Sequence, residues 1–156
     1  MDVGIYCLNA ARNLMGAEPI EVTAQTEQPK DDPRFKEVEA SMAFTLRFPS
    51  GALASCTTTY AGSGGSRLRV MSESGEIFLE PAFSYSAPKM WIKERGQLQQ
   101  AVRPAVDQFA NEMDEFSKCI LENKAPRTPG EEGLADIRVI RALYDAAREG
   151  KSMKLA

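Results

Sequence analysis

"VEASMAFTLRF", residues 38–48, alternates along its whole length. Val38, Ala40, Met42, Phe44, Leu46 and Phe48 fall on one side; Glu39, Ser41, Thr45 and Arg47 fall on the other. A period of two marks a strand with one buried face. "PSGA" (49–52) then turns into "LASCTTTYA" (53–61), a second strand, so the two read as a hairpin with Ser50-Gly51 at the tip. Successive strands joined by so short a turn must run antiparallel.

The same pattern continues outward. "SRLRVMSE" (66–73) and "EIFLEP" (76–81) are joined through Ser74-Gly75, and "KMWIKE" (89–94) and "QLQQAV" (97–102) through Arg95-Gly96. Upstream, "EPIEVTAQTEQ" (18–28) is a strand and "PKDDPRF" (29–35) a proline-punctuated loop. Helical spacing replaces alternation at three places. Residues 3–15 form a helix stopped by Gly16. Residues 107–124 place Phe109, Met113, Phe116 and Ile120 on one side. Residues 126–151 do the same with Leu134, Ile137, Ile140, Ala142 and Tyr144, Gly150 ends that helix, and "SMKLA" is a short last strand. Thr128 is placed to cap the last helix, with Glu131 and Glu132 in its first turn. The fold class is α+β: a large, mostly antiparallel, open-faced sheet with helices packed on one face, in a single domain over 1–156. The second sheet face carries Thr57, Thr59, Arg67, Arg69, Met71 and Trp91. That mixture suits either solvent or a subunit interface.

Composition narrows the chemistry. The 156 residues carry a net charge of -3 with scattered basic side chains, which disfavours nucleic acid and anionic membranes. No apolar run is long enough to span a bilayer. Cys7, Cys56 and Cys119 are odd in number and far apart, which points to reduced thiols in a cytoplasmic setting, with a periplasmic one left open. Histidine is absent, so Ser-His and Cys-His catalysis and most zinc sites are excluded, and no metal is expected. "GSGGSR" (62–67) is not a dinucleotide fingerprint, because Arg67 stands where a third glycine is needed and strands flank it on both sides.

The first helix, "MDVGIYCLNAARNLMG" (1–16), is apolar over most of its surface. Asp2, Tyr6, Asn9 and Asn13 lie within a stripe about 60° wide. Polar groups on a buried helix need partners or a cleft. Two readings stay open: Asp2 caps the helix and the rest is structural, or the stripe lines a site.

"MDVGIYCLNAARNLMGAEPIEVTA", "DPRFKEVEASMAFTLRFPSGALAS" and "APRTPGEEGLADIRVIRALYDAAREGK" resemble the Gfo/Idh/MocA oxidoreductase family, its glucose-fructose oxidoreductase branch in particular. The resemblance covers most of the chain and is weakest over 82–105. It implies the C-terminal domain of a two-domain enzyme, whose NAD(P)-binding Rossmann domain, with its glycine fingerprint and E-K-P lysine, would precede Met1. It also implies that Asp2 is the active-site aspartate, that Tyr6 takes the catalytic position held by His in many members, and that Asn9 touches substrate. Tyr85, in "FSYSAP", matches a tyrosine that reaches the cofactor. The implied activity is hydride transfer between NADP or NAD and a sugar, polyol or related carbonyl, with a homo-oligomer formed through the sheet face. Tyrosine has an ordinary pKa of about 10, and a lysine cation beside it favours the phenolate. The chain alone is expected to be inactive. The alternative is a non-enzymatic dimerisation or ligand-binding module with the same fold.

Overall fold

The computed structural model describes residues 1–85, 88–104 and 106–155. In chain order these form α1 (Gly4–Met15), β1 (Glu21–Glu27), a short 3-10 turn (Pro33–Phe35), β2 (Ser41–Arg47), β3 (Leu53–Thr59), β4 (Leu68–Met71), β5 (Gly75–Glu80), β6 (Lys89–Glu94), β7 (Gln97–Ala101), α2 (Gln108–Glu122), α3 (Gly130–Glu149) and β8 (Met153–Lys154). The α+β class and the antiparallel pairing are as expected. The strands anticipated in one broad sheet are divided between two sheets of four, ordered β3-β2-β1-β8 and β4-β5-β6-β7. Between β3 and β4 runs the "GSGGSR" stretch, whose glycines offer no side chains to a continuing ladder. Two compact units result: residues 1–63 with 128–156, and residues 64–127.

The first unit is built on the alternation of 38–48. Ala40, Met42, Phe44, Leu46 and Phe48 are buried. Val38 precedes the strand and is half exposed, because β2 begins only at Ser41. Val22 of β1 lies opposite Leu46, and Phe44 lies between Ala24 and Cys56. Leu8 and Ala11 of α1 and Val139, Leu143 and Ala146 of α3 close the core over that face. Each fully buried Leu, Phe or Val contributes about 1.5–3 kcal/mol. Gly16 ends α1 in the left-handed region at φ 60°, its N–H bonded to Arg12 O.

The inward face of α3 departs from the sequence reading. Asp136, Val139, Leu143 and Ala146 point inward, whereas Leu134, Ile137 and Tyr144 are exposed by a third to a half. An aspartate at the head of the buried stripe shifts the apparent apolar face toward its neighbours. Thr128 does not cap this helix: Pro129 occupies the N-cap position and no side chain bonds there.

In the second unit, Leu68, Val70, Leu79 and Met90 share one sheet face, while Arg69, Phe78 and Trp91 share the other. On the latter, Phe78 and Trp91 pack with centroids 5.4 Å apart and Arg69 pairs with Glu76. Arg95 and Gly96, at φ 50° and 81°, make the two-residue turn between β6 and β7. Asp107 caps α2 through Ala110 N–H at 3.0 Å. Phe109, Met113, Phe116 and Ile120, expected to pack inward, are each more than half exposed, and Cys119 is the buried residue of that helix.

Candidate functional site

Asp2 stands in the turn before α1, and the helix starts with Val3 at its N-cap and no side-chain cap. The capping role is therefore ruled out. The Asp2 carboxylate instead accepts a hydrogen bond at Oδ2 from the hydroxyl of Tyr60, the residue just past β3. Gly4 lets helix and strand meet: a Cβ there would collide with the Met1 side chain and lie 3.1 Å from Thr58 Cγ2. Tyr6 follows one turn after Asp2 and is half exposed, as is Tyr60. Tyr60 holds its proton more tightly than an ordinary tyrosine, first because it donates to Asp2, then through desolvation and the charges of Asp2 and Tyr6. Asp2, Tyr6 and Tyr60 thus form one polar group at the exposed start of α1.

Further along the stripe the environment changes. The Asn9 amide nitrogen donates to Glu132 Oε1 and Asp136 Oδ2, both at 2.9 Å. Arg12, 7% exposed, donates to Glu18 at 2.7 and 2.8 Å, to Glu132 at 2.9 Å and to Asp136 at 2.5 Å. A buried guanidinium needs such partners, since desolvation of an unpaired charge costs several kcal/mol. Asn9 is therefore held inside an ionic cluster that fixes α1 to α3. Asn13 is exposed.

Cys7, the neighbour of Tyr6, is half-buried against Cys56 of β3. The Cys56 thiol donates to it and lowers the Cys7 pKa to about 7, while Cys56 itself is pushed up. Tyr85 belongs to the second unit, where its ring packs on Phe109 at 5.3 Å and remains 78% exposed. Among the described residues no three His, Cys, Asp or Glu side chains are grouped to hold a metal ion, and no helix is long and apolar enough to cross a membrane.

Spacing placed Asp2 and Tyr6 on one stripe and the family resemblance singled them out as candidates; neither pointed to Tyr60 or Arg12. Tyr60 ends a threonine-rich strand, and only its parity with Cys56 and Thr58 hinted that it faces α1. Arg12 read as one more polar residue on a helix.

Chemically, a carboxylate and a phenol side by side can accept a hydrogen bond from a hydroxyl and exchange its proton. The chain is similar to known oxidoreductases. Residues 1–155 match the pattern described as "Oxidoreductase family, C-terminal alpha/beta domain". The chain is 30% identical over 157 residues to D-xylose 1-dehydrogenase (NADP(+)) of Haloarcula marismortui, covering 99% of the chain and 43% of that protein. It is 26% identical over 152 residues to dTDP-3,4-didehydro-2,6-dideoxy-alpha-D-glucose 3-reductase of Actinomadura kijaniata, covering 96% of the chain and 45% of that enzyme. The crystal structure of aldose-aldose oxidoreductase from Caulobacter crescentus complexed with glycerol superposes with a TM-score of 0.91 at 43% identity, covering 97% of this chain and 46% of that one. The chain thus spans less than half the length of these relatives.

Proposed function

The chain belongs to the Gfo/Idh/MocA oxidoreductase family, whose C-terminal alpha/beta domain it forms, and from that membership we propose that it supplies the substrate wall of an NAD(P)-dependent sugar oxidoreductase. The reaction is hydride transfer between the nicotinamide and a secondary alcohol or carbonyl of a sugar or polyol. The observation that carries this reading is the grouping of Asp2, Tyr6 and Tyr60 at the exposed start of α1.

Oxidation of a carbinol releases a hydride from carbon and a proton from oxygen. A nicotinamide bound by the partner domain would supply the hydride chemistry; the residues of this chain handle the proton and the orientation. Tyr6 exchanges the proton with the substrate oxygen, and Asp2 accepts a hydrogen bond from a substrate hydroxyl. Asn9 contacts substrate only through its carbonyl oxygen, because its amide nitrogen is engaged by Glu132 and Asp136. No glycine-rich strand-to-helix turn occurs among the described residues, so the nucleotide is assigned to a separate Rossmann domain, NADP being favoured by the named relatives. The exposed Tyr85 ring is assigned to a contact with that nucleotide. A cytoplasmic setting is supported by three free thiols; the face expected to mediate a homo-oligomer is divided, Thr57 and Thr59 lying on the first sheet, and what supports an oligomer is the mixed face of the second sheet, where Arg69, Phe78 and Trp91 lie together.

The test uses the full-length enzyme. Tyr6→Phe should lower kcat at least about 100-fold with an unchanged melting temperature. Full turnover in that variant removes Tyr6 from the mechanism. An upstream reading frame encoding a G-x-G-x-x-G turn and an E-K-P lysine is the accompanying expectation; an in-frame stop there refutes the two-domain enzyme.

A further inference from the structure

We propose that Tyr60 is a positioning residue for this reaction: its hydroxyl holds Oδ2 of Asp2, so that Oδ1 is the oxygen offered to a substrate hydroxyl. The inference rests on the assignment of Asp2 and Tyr6 given above.

Its first support is where Tyr60 sits. The residue follows β3, and its backbone N–H still bonds to Ala40 O at 2.8 Å, one step beyond the last ladder pair, Ser41 with Thr59. The sheet, rather than a loop, therefore fixes the base of the ring. Cys56, Thr58 and Tyr60 share one parity, and a Cβ on Gly4 would meet Thr58, so that side of β3 is the one against α1. The strand aims the phenol at the residue that starts the helix.

The second support is the chemistry of the pair. A carboxylate with both oxygens in water can turn, and each oxygen serves a substrate equally. Bonding one of them to a neutral donor removes that freedom and leaves a single acceptor with a defined direction. A hydroxyl donating to an ionised carboxylate makes a stronger bond than one between neutral partners. Ionising Tyr60 would set a phenolate against that carboxylate and beside Tyr6, and its proton is accordingly held above the usual tyrosine range. Tyr60 stays a donor at neutral pH and does not compete with Tyr6 in proton exchange. The two phenols near Asp2 thus have separate roles, one holding the carboxylate and one acting on the substrate.

The decisive experiment is a double-mutant cycle in the full-length enzyme with Tyr60→Phe, Asp2→Asn and both together, turned over with D-xylose and NADP or another aldose it accepts. Tyr60→Phe should lower kcat about tenfold or more, with the KM for the nucleotide within about twofold. The double variant should be no slower than Asp2→Asn alone, because Tyr60 acts through Asp2. A structural tyrosine would instead give independent, multiplying losses, and that result overturns the proposal. A fully active Tyr60→Phe beside a crippled Asp2→Asn overturns the role of Tyr60 and leaves the proposed function standing. A fully active Asp2→Asn removes both. A readout free of turnover uses the present chain with its tyrosine rings 13C-labelled. Asp2→Asn should bring the Tyr60 titration to lower pH, and an unmoved titration refutes the contact on which the proposal stands.

Discussion

Cys7 sits one residue beyond Tyr6 and meets the Cys56 thiol, whose donated hydrogen bond lowers the Cys7 pKa to about 7. Thiolate is the reactive form. At neutral pH iodoacetamide should therefore alkylate Cys7 before Cys56, and Cys56→Ala should slow the reaction at Cys7 by removing the donor. Peptide mass spectrometry after timed quenching checks both. At the scale of single residues the sequence offered candidates through a resemblance and not through spacing alone. Asp2 and Tyr6 lie one helical turn apart and match a family motif. Tyr60 was not legible, since its partner is 58 residues away and nothing local reports the contact. The cysteines were read only as buried thiols, because their pairing depends on how α1 lies across β3.

Helix α1 is held to α3 by Arg12, which reaches Asp136 and Glu132, and to the loop before β1 through Glu18. Arg12→Leu leaves Asp136, whose side chain is 5% exposed, with the Asn9 amide but without its cation, and should destabilise the chain by about 3–5 kcal/mol in urea denaturation. Glu18 has a different signature. Its pKa is lowered by the Arg12 hydrogen bond from an ordinary value of 4.5. A depressed carboxylate pKa stabilises the fold above that value, and the contribution is lost as pH falls through the lower folded-state value. Glu18→Gln should thus lower the melting temperature at about pH 7 and leave it unchanged at about pH 2, as scanning calorimetry will register. The Glu18 side chain is 59% exposed, so solvent screening keeps the effect small. The existence and type of every helix and strand could be read from period and turn residues. The inward face of α3 could not: a paired, buried aspartate looks like a solvent-facing one until Arg12 is seen beside it. The exposed apolar side of α2 was equally hidden, because amphipathic spacing says that a face is apolar and not what covers it.

The molecule as a whole consists of two compact units, only one of which holds Asp2 and Tyr6. Titration calorimetry of the chain with NADP should give no isotherm at micromolar concentration, since the glycine cluster at 62–67 joins two strands and none of the described strands leads through a glycine-rich turn into a helix. A clear isotherm would refute the division of labour between domains. Sedimentation equilibrium should find a homo-oligomer, and a monomer at high concentration would refute the interface assigned to the sheet face. Antiparallel α+β architecture was readable from hairpins alone. The partition into two sheets was not, because alternation specifies each strand's faces but not which strands share a ladder.

The first unit draws its residues from both ends of the chain, with the second unit inserted between them. This sets an order of assembly during synthesis. The hairpins β4–β5 and β6–β7 pair residues close in sequence and can form as soon as they emerge. Arg12 must wait for Asp136, 124 residues later, before α1 is anchored. Pulsed hydrogen exchange during refolding should find β5 and β6 amides protected before those of α1; the reverse order would show that the helix docks without its clamp. Helix α1 thus precedes the second unit along the chain and is anchored only after that unit has been made.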